Sequence, residues 1–97
     1  MSSIEEKIEI LKRLKPELQK QYGVSSLGIF GSFVRGKQKR KSDLDILVDF
    51  EKVPTLFGFI RLERFLSSEL NIKVDLVMKS ALKPTIGKYI LNEVVHV

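Results

Sequence analysis

Two carboxylates open an apolar run in this chain. From Asp43 to Phe50 the residues read Asp-Leu-Asp-Ile-Leu-Val-Asp-Phe, too rich in branched apolar side chains for a loop and bounded by charged segments, which predicts a strand. In a strand, residues two apart leave the same face with Cα atoms roughly 6.5–7 Å apart, so Asp43 and Asp45 can reach one common site. Asp49 shares their parity but stands further along, and is read as a strand-end carboxylate.

The rest of the chain supplies neighbours for that strand. Ser3-Ile4-Glu5-Glu6 reads as a capping box, and Ile4, Ile8, Ile10, Leu11 and Leu14 follow at helical spacings, which predicts a first helix. Pro16 implies either a kinked continuation or a second short helix to Tyr22, ended by Gly23. Val24 to Phe30 has the length and apolar content of a buried strand, stopped by Gly31. Pro54-Thr55 opens a helix through about Leu70, with Leu56, Phe59, Ile60, Glu63 and Leu66 on helical spacings and Asn71 as its stop. Ile72 to Val77 alternates apolar and polar residues and then turns apolar, which predicts a third strand carrying Asp75. Pro84 suits the first turn of a last helix with Ile86, Ile90 and Leu91 on its apolar face. Helix, strand, strand, helix, strand, helix implies an α/β (α+β) domain with a small mixed sheet of about three strands.

At 97 residues, one domain over 1–97 is expected. A chain of this size buries only ~60–65% of the surface it exposes when unfolded, which leaves room for a partner subunit. No stretch approaches the roughly 18 consecutive apolar residues that a membrane span needs. The acidic Met1–Glu6 segment lacks the basic and apolar regions of an export signal. With no cysteine there is no disulfide framework or thiolate chemistry, in keeping with a cytoplasmic setting. The net charge of +5 favours anionic partners without choosing among them. Its densest run, Lys37 to Lys41, is read as an exposed loop, and lone His96 as incidental. Phe57, Phe59, Phe65 and Tyr89 fall in helical patterns and are assigned to core or interface, so nucleic acid is not an expected partner.

Chemistry concentrates around the aspartates. Carboxylates held close raise one another's pKa unless a cation neutralises them. Magnesium takes hard oxygen ligands from a few carboxylates, phosphates and waters. If the strand of Asp75 lies beside that of Asp45, a third carboxylate joins, and two magnesium ions could activate an attacking hydroxyl and stabilise a leaving pyrophosphate. Gly31 and Ser32 follow a strand directly: a residue without Cβ lets backbone approach a phosphate, and a hydroxyl can donate to it. Arg35 could give a bidentate phosphate contact.

Phe30-Gly31-Ser32, then ten residues, then Asp43-Leu44-Asp45-Ile46 resembles the signature of the DNA polymerase beta-like nucleotidyltransferase superfamily. Gly31-Ser32-Phe33-Val34-Arg35-Gly36 with Ser42-Asp43-Leu44-Asp45 is similar to its minimal nucleotidyltransferase (MNT) branch, and the resemblance covers nearly the whole chain. It implies that Gly31 and Ser32 bind nucleotide phosphates, that Asp43 and Asp45 ligate magnesium, and that Asp75 completes the site next to the acceptor hydroxyl. It further implies an antitoxin that transfers AMP from ATP to a tyrosine of a helical HEPN ribonuclease toxin within a hetero-oligomer. Phe33 and Val34 stand where this branch often has arginine and alanine, which implies a missing phosphate contact. A non-catalytic module that inhibits a toxin by direct contact is the alternative. The chain lacks the C-terminal acceptor domain of larger relatives such as the aminoglycoside nucleotidyltransferases, so its acceptor is expected on a partner.

Overall fold

The computed structural model describes residues 3–97; Met1 and Ser2, part of the segment read for an export signal, lie outside the described residues. Helix α1 spans Ile4–Tyr22, and the Ser3 hydroxyl accepts from the Glu6 N–H at 3.2 Å as its N-cap. Of the two outcomes open at Pro16, the continuous helix is the one formed. Gly23 ends it in the left-handed conformation at φ 68°, which a residue without Cβ adopts at little cost.

Strand β1 (Val24–Phe30) leads through a single helical turn, α2 (Ser32–Arg35), and an exposed basic loop into β2 (Leu44–Phe50). Helix α3 (Leu56–Leu70) then crosses to β3 (Val74–Met78). After a 3-10 turn at Lys79–Ala81, α4 (Pro84–Glu93) returns to β4 (Val95–His96). The sheet runs β3-β2-β1-β4, with β2 and β3 parallel and the other neighbours antiparallel. It has one strand more than the three expected, because β4 pairs over only two residues, Gly28 with His96 and Ile29 with Val95. So short a strand has no periodicity to read. Beyond the last helix, Val94 is its cap, Val95–His96 form β4 at the sheet edge, and Val97 follows it.

Helices α1 and α3 cover one face of the sheet. Leu11, Leu18, Leu62, Leu66 and Leu70 pack there against Leu27 and Ile29 of β1, Leu44, Ile46 and Val48 of β2, and Val74 and Leu76 of β3. Full burial of each such side chain is worth about 1.5–3 kcal/mol. Lys7 is buried with them, and its Nζ donates to the Leu70 carbonyl at 2.7 Å, giving the ammonium a partner and satisfying an orphan carbonyl at the end of α3. Burial of Leu44, Ile46 and Val48 fixes the register of β2 and so turns Asp45 to the face away from the helices.

The sheet has two unlike ends. β2 begins at the aspartates and runs away from them, so the start of α3 lies at the far end, where Val53, Leu56 and Phe57 are exposed. A cleft there is lined by Tyr22, Phe50, Val53, Pro54 and Leu62 and includes none of the aspartates. No helix among the described residues is long and apolar enough to cross a membrane.

Candidate active site

Parallel pairing of β2 with β3 puts Asp45 directly opposite Asp75, and antiparallel pairing with β1 puts Phe30 opposite Asp45 on the other side. Cross-strand partners point to the same face, so the two carboxyls share one side of the sheet, close enough for Asp75 to raise the pKa of Asp45. Asp43, one residue before β2, adds its charge to the same neighbourhood and has Lys73 Nζ 4.0 Å from its Oδ2. Lys73 is largely exposed, so water screens that pair and it neutralises little.

The consequence is concentrated on Asp45. Burial first, then repulsion from Asp75 and from Asp43, push its pKa from 3.8 up to about 6, while Arg35 pulls in the opposite direction. Arg35 therefore compensates only part of the cost of ionising this carboxylate. Among the described residues no group of three or more His, Cys, Asp or Glu side chains is placed to hold a metal ion. The aspartates instead form an open acidic edge. That suits magnesium, which usually takes one or two carboxylates and completes its shell with water and substrate phosphate.

Facing this edge is the turn after β1. Gly31 has φ 82° and ψ −152°, a backbone conformation essentially restricted to glycine. A Cβ built on it would run into the Asp45 carboxylate, so the turn and the acidic edge are in direct contact. The Val34 and Arg35 N–H groups donate back to the Gly31 carbonyl at 3.1 and 3.2 Å, closing α2. Ser32, half-buried at the start of α2, stands beside the aspartates' end of the sheet.

Asp43, Asp45, Asp75, Gly31, Ser32 and Arg35 are thus brought to one end of the sheet. Asp49 is not. It sits at the opposite end of β2, where its Oδ1 accepts from the Phe50 N–H at 3.0 Å. Phe33, read from sequence as the mark of a missing phosphate contact, is only 5% exposed and packs in the core. It faces apolar neighbours and supports α2 from below.

Sequence reasoning missed Glu93. At the end of α4 its Oε1 accepts from the Gly31 N–H at 3.2 Å, and both its oxygens accept from Arg35 Nη1 at 3.0 Å. The only local sign was an acidic residue in the last turn of a helix, where the macrodipole disfavours it.

A mixed sheet that presents paired aspartates beside a glycine-serine turn belongs to a nucleotidyltransferase. Residues 11–97 match the family described as nucleotidyltransferase domain, and the chain belongs to that family. More particularly, it is a homologue of the protein adenylyltransferase MntA of Thermococcus cleftensis, 53% identical over 97 residues that cover the whole of this chain and 98% of that one. A solved structure provisionally assigned as a minimal nucleotidyltransferase superimposes with a TM-score of 0.79 at 31% identity, covering 97% of this chain and 95% of its own. The fold also recurs, at a TM-score of 0.66 and 17% identity over 93% of this chain and 70% of the other, in a complex of the tri-AMPylated Shewanella oneidensis HEPN toxin with its MNT antitoxin.

Proposed function

We propose that this chain, acting as one domain, is an antitoxin that transfers AMP from ATP to a hydroxyl of a HEPN-type toxin, a tyrosine being the expected acceptor. The observation that carries the reading is Asp45: a partly buried carboxylate facing Asp75, beside Gly31, with its pKa pushed up to about 6 by burial and by the neighbouring carboxylates. Support from relatives lies in the adenylyltransferase name of the Thermococcus protein and in the AMPylated toxin of the Shewanella complex.

In this reading Asp43 and Asp45 hold magnesium, with Asp75 completing the set. The metal, when bound, supplies positive charge that offsets the triphosphate and favours the ionised acceptor hydroxyl. Gly31 lets the backbone approach the phosphates, Ser32 donates its hydroxyl to them, and Arg35 adds a charged donor. The acceptor oxygen attacks the α-phosphorus, the new P–O bond forms as the α–β bridging bond breaks, and pyrophosphate leaves with the bridging oxygen. The hydroxyl proton passes to Asp75, the exposed member of the pair. The acidic edge is open, and nothing in the described fold forms an acceptor pocket over it, which leaves the acceptor to a partner protein. The exposed apolar side chains of Ile86, Tyr89 and Leu91 on α4 offer contact area for one.

The alternative is a purely inhibitory module: Phe33 packs in the core and offers no phosphate contact where the MNT branch often has arginine. The test is to incubate the purified chain with ATP, magnesium and its co-expressed toxin and look for an AMP adduct on the toxin by intact-mass spectrometry. The adduct is expected with the wild type and not with Asp43→Asn. Equal adduct formation by the variant would remove the catalytic assignment, and toxin binding without any adduct would favour the inhibitory module.

A further inference from the structure

Glu93 is the only acidic residue in α4, and it occupies the last position of that helix. A negative charge there opposes the negative end of the macrodipole, at a cost of roughly 0.3–1 kcal/mol. The surroundings compensate for it. Arg35 Nη1 meets both carboxylate oxygens at 3.0 Å, and the Gly31 N–H, on the same turn, donates to Oε1 at 3.2 Å. The carboxylate is the more enclosed partner, with its side chain 25% exposed against 52% for Arg35.

The chain fixes where this carboxylate stands. Immediately after Glu93, the Val94 N–H closes α4 on the Ile90 carbonyl at 2.9 Å, and β4 joins the edge of β1. The Val97 N–H then donates to the Leu27 carbonyl at 3.0 Å. A Cβ at Gly28 would collide with the Val94 side chain, so the glycine of β1 gives β4 its close approach. Glu93 is therefore delivered to the turn by a paired segment anchored on both sides.

A guanidinium has five N–H donors in a rigid plane. Glu93 engages Nη1 alone, and no other hydrogen bond of the Arg35 side chain is present among the described residues. The Nε and Nη2 edges remain available, on a side chain whose charge is already felt by Asp45. We propose that Glu93 is a positioning residue of the phosphate seat: its carboxylate holds the Gly31 turn and one edge of Arg35, so that the remaining guanidinium donors are oriented towards a nucleotide triphosphate. This rests on the reading of the site as an ATP-dependent nucleotidyltransferase.

The test compares Glu93→Ala and Glu93→Gln in the full chain with its toxin, measuring KM for ATP, kcat for AMP transfer, affinity for magnesium–AMP-PNP, and thermal midpoint. Losing the three hydrogen bonds to this carboxylate is expected to raise KM and weaken AMP-PNP binding ~10-fold in Glu93→Ala, with kcat changed by less than about threefold. Glutamine keeps an acceptor oxygen at the same reach, so Glu93→Gln should recover AMP-PNP affinity to within about threefold of wild type. In an Arg35→Ala background, Glu93→Ala should add little further loss. A purely structural role would lower the thermal midpoint without this split between KM and kcat or the rescue by glutamine. Unchanged affinity in Glu93→Ala would overturn the proposal. Tighter binding would overturn it too, because the carboxylate would then be competing with phosphate. A wild type that binds AMP-PNP but transfers nothing would sink the transfer reading while leaving Glu93 to be judged on affinity, and a wild type that binds no nucleotide would sink both.

Discussion

Along the β2–β3 edge, Asp43, Asp45 and Asp75 gather negative charge that Arg35 and the exposed Lys73 offset only in part, whereas across the neighbouring turn the charge of Arg35 is met at 3.0 Å by Glu93. One half of the site is complete without a ligand and the other is not. The turn is built from contacts that persist with no substrate present, so it can be preorganised. The acidic edge carries like charges whose cost falls when a cation arrives. A site divided in this way would hold its phosphate-facing half rigid and leave its metal-facing half dependent on what binds.

The largest expected effect breaks the incomplete half. Asp45→Asn should reduce AMP transfer by roughly 10²–10³-fold or more, because it removes both charge and a ligand from the acidic edge. The same substitution should not weaken the fold. Asp45 has its folded pKa raised from 3.8 to about 6. Its favourable contribution to stability is therefore full below the unfolded value and is lost as pH rises through the folded one. In the absence of metal, Asp45→Asn should thus melt higher than wild type at pH 7.5, with the difference shrinking towards pH 4. Thermal melts across that range check the sign.

Next comes the complete half. Gly31→Ala forces a Cβ into the Asp45 carboxylate at a positive φ, and should cost about 1–3 kcal/mol of stability from backbone strain alone. Chemical denaturation measures this. Phe33→Arg separates support beneath the turn from contact with phosphate. Burying a guanidinium where Phe33 packs should lower stability by about 2–4 kcal/mol without improving nucleotide affinity. A gain in affinity at little cost in stability would show that position 33 does face the phosphates. The smallest effect is expected of Asp49→Asn, which shares the parity of Asp43 and Asp45 but lies at the far end of β2. AMP transfer should stay within about twofold of wild type, as for a surface change away from the site.

The two halves also differed in how far the sequence disclosed them. Asp43 and Asp45 could be placed on one face because strand parity is local. Asp75 needed a parallel pairing between β2 and β3, which spacing along the chain suggests but does not specify. The turn was half legible: Gly31 and Ser32 follow a strand in the expected order, but a four-residue helix such as α2 puts adjacent positions on opposite sides. Phe33 was read only as the absence of a phosphate contact, and its packing in the core could not be seen from spacing. Glu93 was invisible because its role depends on α4 and the two-residue β4 bringing it back to a turn 62 residues away. Helices α1, α3 and α4 and the three longer strands were readable from periodicity, apolar content and caps, since those signals act within a few residues.

The central claim is that the acidic edge is incomplete without a cation, and the most direct measurement is the thermal midpoint of the nucleotide-free protein with magnesium or with chelator at pH 7.5. Magnesium should raise the midpoint of the wild type and do little for Asp45→Asn. An equal response of the two proteins, or none in the wild type even at saturating magnesium, would contradict the account.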